Sequence, residues 1–228
     1  RLANEDRLRR FVADAAHELR TPLTSLRGYA ELYRQGACQD QEAVDMAMRR
    51  IAAEGARMAR LVDDLLLLAR LDHREGVVRE RVDVVALLRD AVADFKVVQP
   101  DRPVTVSLEG SAFVLGDRGR LHQIADNLLA NARTHTPPGT PVRVCARHDD
   151  GMLEITVADD GPGIPLEDQP RVFERFWRGD PSRVRTTGGT GLGLAIVASL
   201  VQAHGGTIDL TSAPSHGTAF TVRLPLAE

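Results

Sequence analysis

Apolar residues recur in the first third of the chain at the spacing of a helix that packs in a bundle. Between residues 42 and 72 they step alternately by four and three positions, and only a glycine and a terminal aspartate break their apolar character. This stripe comprises Val44, Met48, Ile51, Gly55, Met58, Val62, Leu65, Ala69 and Asp72. Such a heptad repeat predicts a long helix of a coiled-coil-like bundle.

A second apolar stripe comes before the first and predicts another helix over residues 4–35. Its apolar face consists of Val12, Ala15, Leu19, Leu23, Leu26, Ala30 and Tyr33. The segment QGACQDQ between the two stripes is short enough for a helical hairpin turn. Because one hairpin cannot bury both stripes, we predict that two copies pair into a dimeric four-helix bundle.

The pattern changes after Arg74-Glu75-Gly76, where short strand-like and helix-like segments alternate. Strands are predicted over 82–85, 104–108, 112–115, 142–147, 152–158, 207–211 and 219–224. Helices are predicted from 86 to 98, from 117 to 135, over 167–177 and over 191–204. Elements in this order favour an α+β two-layer sandwich, so we expect a helical domain over 1–75 and a sandwich domain over 76–228.

Composition narrows the range of functions. The chain has 228 residues, 43% of them hydrophobic, which is enough to bury a core. The 29 basic and 32 acidic residues give a net charge of -3 and argue against a dedicated nucleic-acid-binding protein. No apolar run approaches the ~20 residues of a membrane span. Cys38 and Cys145 lie far apart, which favours reduced thiols and a cytosolic setting.

His17, in the segment AHELRTPLTSL, is a candidate reactive group on the first helix. It points away from the apolar face. Glu18 beside it could orient one imidazole nitrogen and leave the other as a nucleophile or base. Thr21 lies one turn further on the same face, and Pro22 predicts a kink there. A lone helical histidine is more often structural or merely solvated, and the spacing alone leaves that alternative open.

Asn127 and Asn131 in NLLANA are four residues apart, so they share one face of the predicted helix. Amide oxygens suit magnesium, and amide nitrogens can donate to phosphate. An ordinary surface role for both residues also fits this spacing.

The segment VADDGPGIP places Asp159 and Asp160 at the end of a strand and before a tight Gly161-Pro162-Gly163 turn with exposed backbone. A buried aspartate at such a position can accept a hydrogen bond from an exocyclic amine. An ordinary Asp-Gly turn is an equally good interpretation of this segment alone.

Four glycines, at positions 188, 189, 191 and 193, precede the apolar helix predicted near residue 194. Glycines that lead into a helix N-terminus supply free amides for phosphate. No strand comes directly before them, which disfavours a dinucleotide-binding fold. The long Gly-rich stretch from 179 to 193 instead predicts a functional loop that closes over phosphates.

The motifs HELRTPL, NLLANA, DDGPGI, FERFWR and GTGLGL resemble, in this order, the H, N, G1, F and G2 boxes of sensor histidine kinases of two-component systems. The resemblance covers essentially the whole chain. It implies a dimerisation and histidine-phosphotransfer hairpin followed by a Bergerat-type ATP-binding domain. An ATP-driven clamp or chaperone of the same ATP fold would lack the HELRTP helix, and a catalytically dead scaffold would not need the intact ATP boxes.

The resemblance also implies a function. ATP with magnesium would phosphorylate a histidine of the chain, which would pass the phosphoryl group to an aspartate of a response-regulator receiver domain. The kinase would be a homodimer through the hairpin, would bind no nucleic acid and would contact a membrane only through segments outside this chain. We therefore expect the cytoplasmic portion of a membrane-anchored sensor.

Roles for individual residues follow from the same resemblance. His17 matches the phosphorylated histidine, Glu18 its acidic neighbour and Thr21 a residue associated with phosphatase activity. Asn131 matches the magnesium ligand and Asn127 its partner one turn earlier. The expected nucleotide contacts and lid anchors are Asp159 for the adenine amine, Gly161, Gly163, Phe173, Phe176, Arg178, Gly189, Thr190, Gly191, Leu192 and Gly193.

Ala16 stands where the family often has serine. Two further positions depart from the family pattern at the ATP boxes. Thr134 stands where a basic residue commonly contacts phosphate, and Arg133 lies about 100° away around the helix. Asp160 stands where asparagine is common. These departures concern the details of the phosphate and base contacts and leave the family resemblance unchanged.

Overall fold

Two long helices make up the first of the two units into which the chain divides, residues 1–69 and 70–228. The computed structural model describes residues 2–36, 40–72, 79–108, 110–179 and 190–227. Helix α1 spans Leu2–Arg34 and α2 spans Gln41–Asp72, in agreement with the two apolar stripes. Residues 37–39 of the predicted turn, Cys38 among them, and the predicted boundary after residue 75 lie outside the described residues.

Pro22 does not end α1, which continues for another twelve residues to Arg34. The ring of Pro22 is buried, and the hydroxyl of Thr24 donates to the Arg20 carbonyl at 2.9 Å. Proline has no N–H to donate to the carbonyl four residues earlier, so one backbone hydrogen bond is missing directly beside His17 and Glu18.

The residues that α2 buries within one chain follow a different line from the predicted stripe. Ala47, Leu61 and Leu68 are buried, whereas Met48 and Val62 of the stripe remain 43% and 41% exposed. Neighbouring residues on a helix point about 100° apart, so α2 carries two apolar lines. One of them is buried within the chain. The other, the predicted stripe, is exposed at Met48 and Val62 and half-buried at Ile51, Met58 and Leu65.

The second unit is built on a five-stranded sheet. Its elements are β1 Glu80–Asp83, α3 Val84–Val98, β2 Val104–Leu108, β3 Phe113–Gly116, α4 Arg118–His135, β4 Val142–Asp149, β5 Met152–Asp159, α5 Gly193–Ala203, β6 Thr207–Ser212 and β7 Thr218–Pro225. The strand order is β2-β4-β5-β7-β6, with β2 parallel to β4 and the other neighbours antiparallel. Strands β1 and β3 form a separate antiparallel pair.

The hydrophobic core lies between the five-stranded sheet and the helices α3, α4 and α5. Alternate residues of the central strands point into it, and they are joined by one face of each helix. Fully buried members include Leu87, Leu128, Leu153, Ile196, Phe220, Val222 and Leu224. The alternation of β-strand side chains thus produces one apolar and one polar sheet face. The predicted helical hairpin and α+β two-layer sandwich are confirmed.

The polar face of the sheet carries a ladder of charges across four strands. Glu154 on β5 is buried and accepts from Arg147 on β4 at 2.6 Å and from Arg223 on β7 at 3.0 Å. Arg223 also pairs with Asp209 on β6. Burial alone would raise the pKa of Glu154, but the hydrogen bonds from the two arginines outweigh it and hold the pKa below its usual value.

Helix ends are fixed by polar side chains that span several elements. Asp83 caps α3 by accepting from the amides of Val85 and Ala86 at 3.0 and 3.2 Å. This capping ends the strand at Asp83, two residues before the predicted end at 85. His204, which is buried at the end of α5, lies 2.7 Å through Nδ1 from the Leu200 carbonyl.

The other ring nitrogen of His204 accepts from the Asp117 amide at 3.2 Å, directly before α4. Because that amide must donate, Nε2 has no proton and Nδ1 carries the hydrogen. A neutral imidazole therefore joins the end of α5 to the start of α4.

The helix predicted over 167–177 is wrong. Only a single 3₁₀ turn forms there, over Gln169–Arg171, and the amide of Glu174 continues the tight pattern by donating to the Arg171 carbonyl at 2.8 Å. Phe176 has a positive φ of 61°, which a helix does not allow. Within the described residues, no helix is long and apolar enough to cross a membrane.

Candidate functional site

His17 and Thr21 lie one turn apart on α1, and both side chains are exposed. Glu18, next to His17, is half-buried. An imidazole on the surface of a helix is accessible to a second macromolecule or to a bound substrate, so the geometry allows the reactive role that the sequence predicts for His17.

Asp159 ends β5 as a buried carboxylate in the second unit, 6% exposed. Its Oδ1 accepts from the Gly161 amide at 2.9 Å. Burial raises the pKa of Asp159, and the charge of Asp160 adds to this; the amides of Gly161 and Thr218 and the charge of Arg102 oppose it. Asp159 is thus a desolvated hydrogen-bond acceptor at the C-terminal end of β5.

Gly161 cannot be replaced without moving its neighbours. A Cβ there would lie 2.6 Å from both the Asp159 carboxylate and the Thr136 methyl group. The following turn is fixed to the connection between β6 and β7, because the Ser215 amide donates to the Pro162 carbonyl at 2.7 Å. Gly163 has a φ of 72° and lies directly against that same connection. The backbone next to Asp159 therefore carries no side chain at Gly161 and Gly163.

Asn127 and Asn131 lie on α4 as predicted, and both are half-buried. The carboxamide oxygen of Asn127 lies 3.8 Å from the point where a Cβ of Gly193 would stand, at the start of α5. Its Nδ2 is buried and has no hydrogen-bond partner among the described residues. An orphaned buried donor costs about 1–3 kcal/mol, so a ligand that accepts from it would relieve that cost.

The start of α5 is joined to the segment around Phe176. The Phe176 amide donates to the Gly191 carbonyl at 2.8 Å, and a Cβ on Gly191 would lie 2.8 Å from the Phe176 backbone. Leu192 is fully buried, and its amide lies 3.4 Å from the Thr190 hydroxyl. Gly188 and Gly189 lie outside the described residues.

The remaining predicted residues differ in their burial and contacts. Arg133 is exposed, Thr134 is half-buried beside it, and Arg178 is half-buried. Phe173 packs edge-on against Phe220, with ring centroids 6.2 Å apart. Asp160, one of the two departures from the family pattern at the ATP boxes, pairs with Arg143 at 2.7 Å.

Comparison with known proteins identifies both units. Residues 7–74 match the family described as His Kinase A (phospho-acceptor) domain. Residues 116–228 match the family described as Histidine kinase-, DNA gyrase B-, and HSP90-like ATPase. The chain belongs to the sensor histidine kinases of two-component systems. The family resemblance drawn from the sequence motifs is thus confirmed, and the ATPase match supports ATP as the nucleotide.

Relatives of this sensor histidine kinase align along its whole length. The probable sensor histidine kinase TcrY of Mycobacterium tuberculosis is 52% identical over 227 residues, covering 99% of this chain and 47% of TcrY. The sensor histidine kinase TrcS of the same organism is 43% identical, covering 100% of this chain and 46% of TrcS. The chain therefore spans about half the length of these relatives.

Solved structures of two histidine kinases are similar to this chain. The Acinetobacter baumannii histidine kinase AdeS has a TM-score of 0.73 and 25% identity, covering 93% of this chain and 98% of AdeS. The mycobacterial sensor histidine kinase MprB has a TM-score of 0.58 and 34% identity, covering 65% of this chain and 98% of the solved MprB chain.

Several polar residues of this histidine kinase site carry no local sequence signal. Thr218, buried opposite Asp159 on β7, lies 3.0 Å through its hydroxyl from Ser212. Ser212 in turn accepts from the Ile164 amide at 2.9 Å and fixes the Gly161–Gly163 turn. The segment SHGTAF resembles the family's end, but nothing in its spacing indicates which side chain faces Asp159.

Proposed function

We propose that this chain is the kinase core of a two-component sensor. It phosphorylates His17 from ATP and passes the phosphoryl group to an aspartate of a response-regulator receiver domain. One observation carries the proposal: a single chain joins an exposed histidine on a helical unit to a second unit with a buried acceptor, Asp159, and an orphaned donor, Asn127.

Adenine fits the acceptor better than a base without an amine. The Asp159 carboxylate accepts from the exocyclic amine of the base, and the bare backbone at Gly161 lets the ring approach. Because a Cβ on Gly161 would collide with the Asp159 carboxylate, a glycine at this position is what allows the carboxylate to keep its place. The half-buried Arg178 and the segment from Thr190 to Gly193 face the phosphates, where the amides at the start of α5 favour negative charge.

Magnesium fits the amide oxygen that α4 presents. Asn131 would hold it, and Asn127, one turn earlier, has a carboxamide donor left for a phosphate oxygen. The ion would supply positive charge against the triphosphate. Arg133, exposed on the same helix, is a weaker candidate for the cation that Thr134 cannot provide.

The transfer needs mainly positioning and charge neutralisation. One imidazole nitrogen of His17 attacks the γ-phosphorus in line, a nitrogen–phosphorus bond forms, and the bond to the bridging oxygen breaks to release ADP. Glu18 holds the other nitrogen and stabilises the positive ring. An aspartate oxygen of the regulator then attacks the phosphorus and returns the imidazole.

Three further assignments belong to this proposal. The kinase is a homodimer through α1 and α2, because the line that contains Met48 and Val62 is apolar and exposed in the single chain. Thr21, exposed one turn from His17, positions a water molecule for dephosphorylation of the regulator. The chain is the cytoplasmic portion of a membrane-anchored protein, as the family resemblance implies, and it spans about half the length of its relatives.

The decisive experiment is incubation of the chain with γ-labelled ATP and magnesium. Wild type should acquire a label that is labile in acid and stable in base, and His17→Gln should acquire none. Thr21→Ala is the matched control on the same helix face and should keep its label but lose phosphatase activity towards the regulator. Labelling that survives His17→Gln would refute the assignment.

A further inference from the structure

Arg102 is a buried arginine that lies directly before β2 and is only 6% exposed. Its Nε donates to the Gln99 side chain at 3.2 Å and its Nη2 to the Pro137 carbonyl at 3.2 Å. Its Nη1 donates to the Thr136 hydroxyl at 2.7 Å and lies 3.4 Å from the Ala132 carbonyl. All these acceptors are neutral, so the guanidinium charge is buried without a directly bonded carboxylate.

Thr136 lies between Arg102 and the candidate adenine site and contacts both. Its hydroxyl accepts from Arg102 and donates to the Ala132 carbonyl at 2.6 Å, at the end of α4. These two hydrogen bonds fix the side-chain rotamer, because a hydroxyl held on both sides cannot rotate. The methyl group of Thr136 therefore faces Gly161, 2.6 Å from where a Cβ would stand and next to the Asp159 carboxylate.

The charge of Arg102 reaches Asp159 without a hydrogen bond between them. Burial lowers the pKa of Arg102, and the negative charge of Asp159 is the largest influence that opposes this. In return, Arg102 favours the ionised form of Asp159, against burial and against Asp160. The other groups acting on Asp159 are the amides of Gly161 and Thr218.

We infer that Arg102 is a positioning residue for adenine recognition, which it supports by fixing Thr136 against Gly161 and by placing a positive charge behind Asp159. The inference rests on the proposed nucleotide function. Arg102 is too deeply buried to contact the substrate itself. Its effect must therefore appear in the selectivity for the base, through Asp159, as well as in stability.

A purely structural role makes a different prediction. If Arg102 only joined the end of α4 to the start of β2, its loss would lower the stability of the chain and reduce the affinity for all nucleotides equally. Inosine diphosphate separates the two roles, because it has a carbonyl where ADP has the exocyclic amine and an N–H where ADP has the N1 acceptor. The ratio of the two affinities therefore measures recognition of this edge of the base, which includes the hydrogen bond to Asp159.

The test is calorimetric titration of the 228-residue chain with ADP and with inosine diphosphate, in magnesium, from about pH 5 to 8. Arg102→Met removes the charge and the donors at similar volume. We expect it to reduce the preference for ADP by about fivefold to tenfold, the size of one hydrogen bond. The pH below which ADP binding weakens should also rise, because Asp159 loses a favourable charge.

Three further variants sharpen the result. Arg102→Lys should keep the pH dependence of wild type while losing part of the ADP preference. Thr136→Val removes the hydroxyl link and should reduce the preference without moving the pH dependence as far. Arg118→Met is the control, because Arg118 is an exposed arginine of α4 that pairs with Asp90. It should bind both nucleotides as wild type does.

The outcomes separate this inference from the proposed function. A wild-type chain that does not prefer ADP would refute the adenine role of Asp159 and, with it, the inference. A wild-type preference that Arg102→Met retains, with an unchanged pH dependence, would refute the inference alone. If Arg102→Met does not fold, Thr136→Val decides the matter, and an unchanged preference in that variant overturns the proposal.

Discussion

Single buried polar residues connect distant parts of the ATP-binding unit. His204 joins the end of α5 to Asp117 across 87 positions of sequence, and Arg102 joins the start of β2 to Thr136 across 34. Each of them hydrogen-bonds to a backbone or hydroxyl group of another element. Residues far apart in sequence are in this way held together around the candidate site.

His204 should make the stability of the chain depend on pH. Burial lowers its pKa below the ordinary 6.5, so the unfolded chain takes up the proton first. The stabilisation by neutral His204 is therefore complete above about pH 6.5 and is lost as the pH falls through the lower folded pKa. Urea unfolding of wild type between about pH 7.5 and 5 should show this decline.

The matched variant is His204→Gln. It should lose about 1–3 kcal/mol at neutral pH, because two buried hydrogen bonds are disturbed, and its stability should decline less steeply with acid. An equally steep decline in the variant would assign the pH dependence to other groups.

The candidate site residues that sequence reasoning predicted are those with local patterns. Asn127 and Asn131 share a helix face by their spacing, and Asp159 precedes a Gly-Pro-Gly turn. Arg102 and His204 carry no such signal, because an arginine in a turn and a histidine after a helix are usually solvated. Only the folded chain brings their partners to them.

At the scale of elements, the polar face of the sheet depends on Glu154. This carboxylate is shared by Arg147 and Arg223 from the two neighbouring strands. Glu154→Gln should destabilise the chain by about 1–3 kcal/mol, because two arginines lose their charged partner at a buried position. Asp209→Asn, at the exposed end of the same ladder, should cost about 0.5 kcal/mol or less.

Urea unfolding of the two variants at low and high salt measures this difference. The loss in Glu154→Gln should depend less on salt than the loss in Asp209→Asn, because the Glu154 carboxylate is buried although its partner Arg147 is exposed. Equal losses in both variants would show that burial of Glu154 contributes nothing to the ladder.

Most helices and strands could be predicted because their periodicity is local and strong. The failure over 167–177 has a physical cause. Pro170 lies inside that segment, has no N–H for a helical hydrogen bond and disfavours the helical conformation of the residue before it. Phe176, whose amide donates to the Gly191 carbonyl, is left-handed and ends any helix there. The heptad pattern of α2 had a similar limit, since it could not separate the line buried within one chain from the line left exposed.

At the scale of the whole molecule, the exposed line of α2 should determine the oligomeric state. We expect wild type to sediment as a dimer and Val62→Glu to weaken dimerisation by at least about tenfold, because a carboxylate would be buried in an apolar interface. Val97→Glu is the control: Val97 is 81% exposed at the end of α3. Sedimentation velocity over a concentration series measures both. A Val62→Glu chain that remains dimeric at low concentration would refute this interface.

The place of β7 in the sheet has a consequence for how the protein is made. β7 comes last in sequence, but it lies between β5 and β6 and pairs with both. During synthesis, β5 can already pair with β4, but β5 lacks its second neighbour and β6 lacks its partner in the sheet until residues 218–225 have left the ribosome. The helical hairpin, whose pairing is local, can form much earlier. A messenger RNA truncated before the codons of β7 would thus yield a helical hairpin attached to an incomplete sheet. Such a product exposes unpaired strands and is a substrate for cellular proteases.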